Sequence, residues 1–304
     1  MKKLLVGGAL AASEISLGCW RLAKLDAKAA EGLVAEALAL GIDFFDNADI
    51  YGGGKAEELF GKAVASLGVR DNILIQTKCG IRNGLYDFSK EHILSAVEGS
   101  LKRLGTEYID VLLLHRPDTL MEPGEVAEAF EQLHTRGKVR YFGVSNHNPG
   151  QIALLQKAVK QKLIANQLQF SLTNSTIIDA GLNVNMEHDP ALMRDGGILE
   201  YCRLEGITIQ AWSPLQYGVF EGTFMDNEEK FPEFNKKLGE YAALKGVAKS
   251  AVAFAWILRH PAKIQPIAGT TDPEHLRQLA RASDITLTRE EWYDLYKAAG
   301  NKLP

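Results

Sequence analysis

Asp46, Tyr51, Lys78 and His115 are the four side chains of this sequence whose types combine into one chemistry. They stand at or just beyond the ends of successive apolar runs, and together they suit the donation of a proton to a carbonyl oxygen. A tyrosine with an ordinary pKa of about 10 is a weak acid at neutral pH, but an ammonium a few ångströms away favours the phenolate and lowers that value. Lys78 is the expected source of that charge. A carboxylate such as Asp46 would keep the lysine charged and aimed, and a histidine such as His115 would hydrogen-bond the oxygen of a bound carbonyl and fix its direction. Each residue alone has an ordinary reading, as the end of a strand or a satisfied polar group. Their recurrence on neighbouring runs carries the inference. No side chain can supply a hydride, so a reduction would require a nicotinamide cofactor.

Equivalent positions on the other apolar runs add Ser145 with Asn146, Gln167, and Trp212 with Ser213. The stretch Asp43-Phe44-Phe45-Asp46-Asn47-Ala48-Asp49-Ile50-Tyr51-Gly52-Gly53-Gly54 reads as a strand, a polar loop and a glycine turn leading into a helix near Lys55.

Such a set needs a scaffold that gathers strand ends. Short runs rich in β-branched and aromatic residues alternate with longer amphipathic segments into the last quarter of the chain, the signature of repeated βα units. Strands are predicted at 15–20, 43–47, 72–78, 109–115, 141–145, 163–167, 208–212 and 265–268. Eight is the number required by a closed (β/α)8 TIM barrel, which keeps its chemistry at the carboxyl ends of the strands. Helices predicted at 26–40, 56–66, 89–104, 124–135 and 149–159 each follow a strand, and 232–244, 249–259 and 289–299 add helices near the C-terminus. Ser89 and Gly105 punctuate one of these segments, and Asp272-Pro273 opens another. Val111-Leu112-Leu113-Leu114 is uninterrupted hydrophobe, as in a parallel strand covered on both faces. Two stretches exceed the usual connection, 171–197 and 217–230, and the first reads as a loop that touches substrate. No linker or shift of composition divides residues 1–304, so a single domain is expected.

With 46% hydrophobic and 24% charged residues over 304 positions, the composition is that of an ordinary globular chain. A net charge of −4 gives no general attraction to nucleic acid or an anionic membrane. Cys19, Cys79 and Cys202 form no CxxC pair, which suits a reducing, cytoplasmic setting. No run is long enough to span a membrane. Residues 1–13 imitate a signal peptide, but their apolar stretch is short and broken by Gly7-Gly8, a pair suited to a hairpin turn. The histidines are scattered singly, so a metal-dependent hydrolase using His115, Asp118 and His147 fits poorly.

Taken together, the chain resembles the aldo-keto reductase family over essentially its whole length, and is similar to bacterial members known as predicted oxidoreductases. The resemblance lies in the stretch from Gly41 to Gly52, then Lys78, Leu114-His115, Gly143-Val144-Ser145-Asn146, Asn166-Gln167 and Trp212-Ser213-Pro214-Leu215. It implies an NADPH-dependent reductase of a small-molecule carbonyl substrate, with Tyr51 as general acid, Lys78 tuning it, Asp46 holding Lys78 and His115 orienting the carbonyl. It also assigns the nicotinamide carboxamide to Ser145, Asn146 and Gln167, the ring face to Trp212, and the pyrophosphate to Ser213 and Leu215. Cys19 and Trp20 line the end of the first strand in that picture.

The family's phosphate-recognising segment aligns with Gly269-Thr270-Thr271-Asp272-Pro273-Glu274-His275-Leu276, with Arg277 and Gln278 near the adenosine. Its strand-loop-helix form suits an anion at a helix N-terminus. His275 stands where arginine is common, and Gly269 where some members have lysine. A neutral histidine gives less to a 2′-phosphate than a bidentate guanidinium, which keeps NADH open beside NADPH. The resemblance further implies an open substrate pocket walled by 171–197, and a monomer or small homo-oligomer. Potassium-channel β-subunits resemble the same family, so a cofactor-binding regulatory subunit with little turnover is the alternative reading.

Overall fold

The alternation of strand and helix closes on itself. The computed structural model describes residues 1–219 and 221–303, and among them eight parallel strands form a closed barrel. The chain opens with an antiparallel hairpin, β1 (Lys3–Val6) and β2 (Leu10–Ser13), turning at Gly7-Gly8. It continues through β3 (Ser16–Gly18), α1 (Ala27–Ala39), β4 (Phe44–Asp46), α2 (Lys55–Leu67) and β5 (Leu74–Cys79). A small hairpin of β6 (Ile81–Arg82) and β7 (Leu85–Tyr86) precedes α3 (Lys90–Leu104), β8 (Ile109–Leu114), α4 (Pro123–Thr135), β9 (Val139–Ser145) and α5 (Pro149–Ala158). Then come β10 (Leu163–Gln169), α6 (Thr176–Leu182), α7 (Ile198–Glu205), β11 (Thr208–Trp212), α8 (Pro232–Lys245) and α9 (Lys249–Leu258). The last elements are β12 (Gln265–Ala268), α10 (Pro273–Ala280) and α11 (Arg289–Ala298). Around the barrel the order is β3-β4-β5-β8-β9-β10-β11-β12, with β12 pairing back onto β3.

The apolar run of β8 shows how the sequence builds two cores at once. Side chains alternate across a strand, so Val111 and Leu113 point into the lumen with Phe44 and Ala165, while Leu112 and Leu114 face the helices. Fully burying such a side chain contributes about 1.5–3 kcal/mol. The hairpin seals the amino end of the lumen, adding Val6 and Ala12 to the inner cluster. Gly7 is required there: its φ is +59°, and a Cβ would lie 2.3 Å from that of Ile164. Its backbone is tied down on both sides, the amide to Thr208 Oγ1 at 2.9 Å and the carbonyl to Lys162 Nζ at 3.1 Å. The residues that imitate a signal peptide are therefore this plug.

Helix punctuation follows the sequence. Ser89 Oγ accepts from the His92 amide, and Gly105 ends α3 at φ +63°. Asn148 and Thr288 form capping boxes on α5 and α11.

Three stretches differ from expectation. The first barrel strand stops at Gly18, and Trp20 opens a 3₁₀ turn, Trp20–Lys24. Residues 171–197 are not simply a loop: they contain α6, with Ile178 and Ala180 buried, and a short turn Asp189–Ala191. Asp179 accepts from the Tyr296 hydroxyl at 2.7 Å, and Asn301 Nδ2 donates to the Leu172 carbonyl at 3.3 Å, so this segment is fastened to the C-terminal helix. The eight-residue α7, bounded by Gly197 and Gly206, was too short to declare itself by periodicity.

Candidate active site

β4 and β5 are neighbours in the barrel, with Asp46 paired to Gln76. This register puts the Asp46 carboxylate beside the side chain of Lys78, two residues farther along β5 and on the same face. Lys78 is fully buried, a position an ammonium tolerates only when paired and hydrogen-bonded. Its Nζ lies 2.7 and 2.8 Å from the two Asp46 oxygens, 2.8 Å from the Asn47 carbonyl and 3.1 Å from the Tyr51 hydroxyl.

Tyr51 reaches this point because the chain turns hard after it. Gly52, Gly53 and Gly54 all have positive φ, and a Cβ on Gly52 would lie 2.4 Å from that of Ala23. His115 follows β8, its ring edge-on to Tyr51 with centroids 5.9 Å apart. The structure thus brings all four residues together.

The electrostatics differ from expectation in one respect. Burial pushes the Tyr51 phenol up, and although Lys78 pulls it down, Asp46 works against that pull; the net shift is upward from 10.0. Burial disfavours the Lys78 ammonium, but Asp46 and the Tyr51 oxygen outweigh it and raise its pKa. Burial, then the charges of Lys78 and Arg116, hold His115 well below the usual imidazole value. At neutral pH the cluster therefore has a protonated phenol, a charged lysine and a neutral imidazole. Such a phenol releases its proton only to a strongly basic acceptor, such as an oxygen becoming an alkoxide.

Beneath the tetrad runs a ladder of buried amides. Gln76 Nε2 donates to Asp46 Oδ1 at 2.6 Å and to Gln210 Oε1 at 2.9 Å. Gln167 Nε2 donates to Asp46 Oδ1 at 3.0 Å and Gln210 Oε1 at 3.3 Å, and Gln210 passes the chain on to Gln265 at 2.9 Å. Gln167 thus supports Asp46 from within the barrel.

Ser145 and Asn146 lie at the end of β9, with Asn146 Nδ2 donating to Ser145 Oγ at 2.8 Å. Asn146 and Ser213 both sit in the left-handed region, at φ +60° and +50°, the kind of local strain that collects at functional loops. The Trp212 indole crosses the mouth to donate to Asn146 Oδ1 at 3.1 Å. Arg116 packs over the Trp212 ring at 5.7 Å and forms no ion pair among the described residues. Cys19 is fully buried, its thiol pushed well above the ordinary range by burial and Asp46, whereas Trp20 is 45% exposed. The Leu215 carbonyl accepts from the Phe224 amide at 3.2 Å, holding the loop after β11.

At the opposite side of the mouth, the start of α10 is capped by the chain itself. Asp272 Oδ1 accepts from the Glu274 and His275 amides at 2.8 and 3.4 Å, the cap that an Asp-Pro helix start predicts. The Thr270 hydroxyl takes the Asp272 amide at 3.0 Å, and Thr271 is half-buried beside it. His275 is exposed, with Nδ1 3.9 Å from Asp272 Oδ2. Arg277 is clamped to Glu36 by two bonds of 2.8 Å, and Gln278 leans on Glu274. A further cation that pattern reasoning missed reaches this segment: Arg21 Nη1 donates to the Gly269 carbonyl at 2.5 Å, in space that a Cβ at Gly269 would obstruct.

Asp118 and His147, two of the three residues weighed for a metal site, are tied to the backbone. Asp118 spends both oxygens on the Phe88 and Leu120 amides, and His147 Nδ1 lies 2.9 Å from the Ser145 carbonyl. Among the described residues no three His, Cys, Asp or Glu side chains converge as metal ligands.

Comparison with known proteins agrees with this architecture. The Aldo/keto reductase family matches residues 14–299. The chain is 37% identical to the oxidoreductase YcsN of Bacillus subtilis, covering 98% of each chain. It is 36% identical to a 6-dehydroglucose reductase of Agrobacterium fabrum, covering 99% of each. An aldo-keto reductase of Klebsiella pneumoniae crystallised with NADPH superposes with a TM-score of 0.80 at 26% identity, covering 99% of this chain and 96% of that one. With the family model covering nearly the whole barrel that carries this buried Asp-Lys-Tyr chain, and relatives above 30% identity over its full length, the chain belongs to the aldo/keto reductase family.

Proposed function

We propose that the protein is an NADPH-dependent carbonyl reductase in which Tyr51 donates the proton to the carbonyl oxygen. The observation that carries the reading is the position of Lys78 Nζ, within hydrogen-bond reach of both the Asp46 carboxylate and the Tyr51 hydroxyl. The nicotinamide, when bound, supplies the hydride that no side chain can give. The residues at the mouth fit its polar end: Ser145 and Asn146 present a hydroxyl and an amide, and the Trp212 indole offers a flat face beside them. At the phosphate end, Arg21 is the candidate cation.

Tyr51 and neutral His115 both aim at one carbonyl oxygen, His115 orienting it and Tyr51 protonating it as negative charge develops. Lys78 then faces a forming phenolate, and its charge stabilises that state more than the neutral phenol. Asp46, itself held by Gln76 and Gln167, fixes the ammonium in place. The oxidoreductase names of the relatives support this reaction class, and the Agrobacterium relative points to hydroxylated aldehydes of sugar size as first substrates to test.

The decisive experiment is Tyr51→Phe with NADPH and a panel of aldehydes and ketones. Turnover is expected to fall by roughly 10²–10⁴-fold, while NADPH affinity measured by fluorescence titration stays within a few-fold. Turnover retained near the parent's would remove Tyr51 as the acid.

A further inference from the structure

A cavity of about 400 Å³ opens on the outer flank of the barrel, bounded by α6, α7, the end of α9 and α11. It lies away from the tetrad, since α7 and α9 end there just before the amino ends of β11 and β12. Arg203, Arg259 and Arg289 line it from three separate elements. None of the three enters an ion pair among the described residues, whereas Arg277 and Arg281 nearby in sequence are both matched to carboxylates. The carboxylate that lines the cavity is that of Glu200, leaving an excess of two positive charges in a chain whose net charge is −4. Arg259 keeps only its Nε committed, to the Leu287 carbonyl at 2.8 Å.

The wall of α11 gives this cationic cavity a second character. Trp292 and Tyr293 form it, with ring centroids 4.9 Å apart in an edge-to-face pair. Trp292 is buried, stacked on Trp256 at 4.7 Å and on Tyr296 at 5.9 Å, so it braces the half-buried Tyr293, whose ring is the one left to meet a ligand. His260, also in the lining, is held to about 4 by burial and by Arg203 and Arg259, and so contributes a neutral ring at physiological pH.

From three arginines without carboxylate partners lining one cavity beside a braced aromatic ring, we propose that this cavity binds a phosphate ester of an aromatic or heterocyclic ring, of mononucleotide size. Guanidiniums are suited to phosphate by their planar, multiply donating geometry, and the volume falls within the range of small-molecule sites. The ring packs against Tyr293, which Trp292 holds edge-on, while the phosphate meets the arginines.

The test is calorimetric titration of the full chain with AMP, adenosine and inorganic phosphate, each in saturating NADP+ so that the barrel mouth cannot contribute. AMP is expected to saturate, and to bind at least roughly tenfold more tightly than either phosphate or adenosine alone. The double variant Arg203→Glu, Arg289→Glu alters exposed side chains outside the tetrad; it should lose AMP binding while keeping the parent's melting temperature and carbonyl turnover. Absence of saturation by AMP, equal binding of inorganic phosphate, or undiminished binding in the folded double variant would each overturn the proposal.

Discussion

The Tyr51 hydroxyl lies 3.1 Å from Lys78 Nζ, and in the resting protein this contact secures the ammonium more than it acidifies the phenol. Burial dominates the tyrosine, and Asp46 offsets much of what Lys78 offers. The phenol should therefore remain protonated through the whole neutral range. We expect kcat for carbonyl reduction to stay flat between about pH 7 and 9 and to decline only above the ordinary tyrosine value. His115, held low, should add no acid limb near its usual pKa. A descending limb within that window, lost in Tyr51→Phe, would show a phenol lowered by Lys78 after all.

Asp49, two residues before Tyr51, has its carboxyl raised to about 7 by burial and by the neighbouring charge of Glu57. Its Oδ1 is buried without a hydrogen-bond partner. A carboxyl whose folded pKa exceeds its unfolded value binds more protons in the native state across the interval, here from 3.8 to about 7. Stability should thus fall as pH rises through that interval, with the cost complete above it. Asp49→Asn should unfold like the parent at about pH 4 and be more stable at about pH 8, by on the order of 2–4 kcal/mol. Urea titrations at the two values decide it; an equal difference at both would show that Asp49 does not titrate there.

Cofactor choice should respond to His275. Its side chain is exposed near the segment that the family uses for the 2′-phosphate, and Asp272 stands beside it. His275→Arg should tighten NADPH relative to NADH by roughly 1–2 kcal/mol. Equal changes for the two cofactors would place His275 away from that phosphate.

The segment after β10 can be probed without removing it. Replacing 174–196 wholesale would delete the buried Ile178 and the Asp179–Tyr296 bond, and so unsettle α11. Met186, Leu192 and Met193 are exposed, and their joint replacement by Ser should shift KM several-fold across a carbonyl panel while leaving NADPH affinity unchanged. An unaltered substrate profile would take these side chains out of the pocket.

What could be read in advance was whatever local pattern declares. Phe44-Phe45-Asp46 and the run Val111–Leu114 show their strands by composition, and Tyr51, Lys78 and His115 show their placement by where those strands stop. The amide ladder could not be read, because Gln76, Gln167, Gln210 and Gln265 are distant in sequence and meet only when the barrel closes. Arg21 was missed for the same reason, its partner Gly269 being brought near by the pairing of β12 with β3. The β6–β7 hairpin has two-residue strands with Leu85 and Tyr86 exposed, which leaves no buried face for periodicity to reveal. At α10 the cap was legible, since Asp272 before Pro273 announces the helix start and does accept from the Glu274 and His275 amides.

The plug formed by β1 and β2 couples the first residues of the chain to the barrel interior. Val6 and Ala12 share one inner cluster with Phe44, Val111 and Leu113, on two of the strands that lead to the tetrad, so water admitted at the floor would wet the apolar side chains directly beneath it.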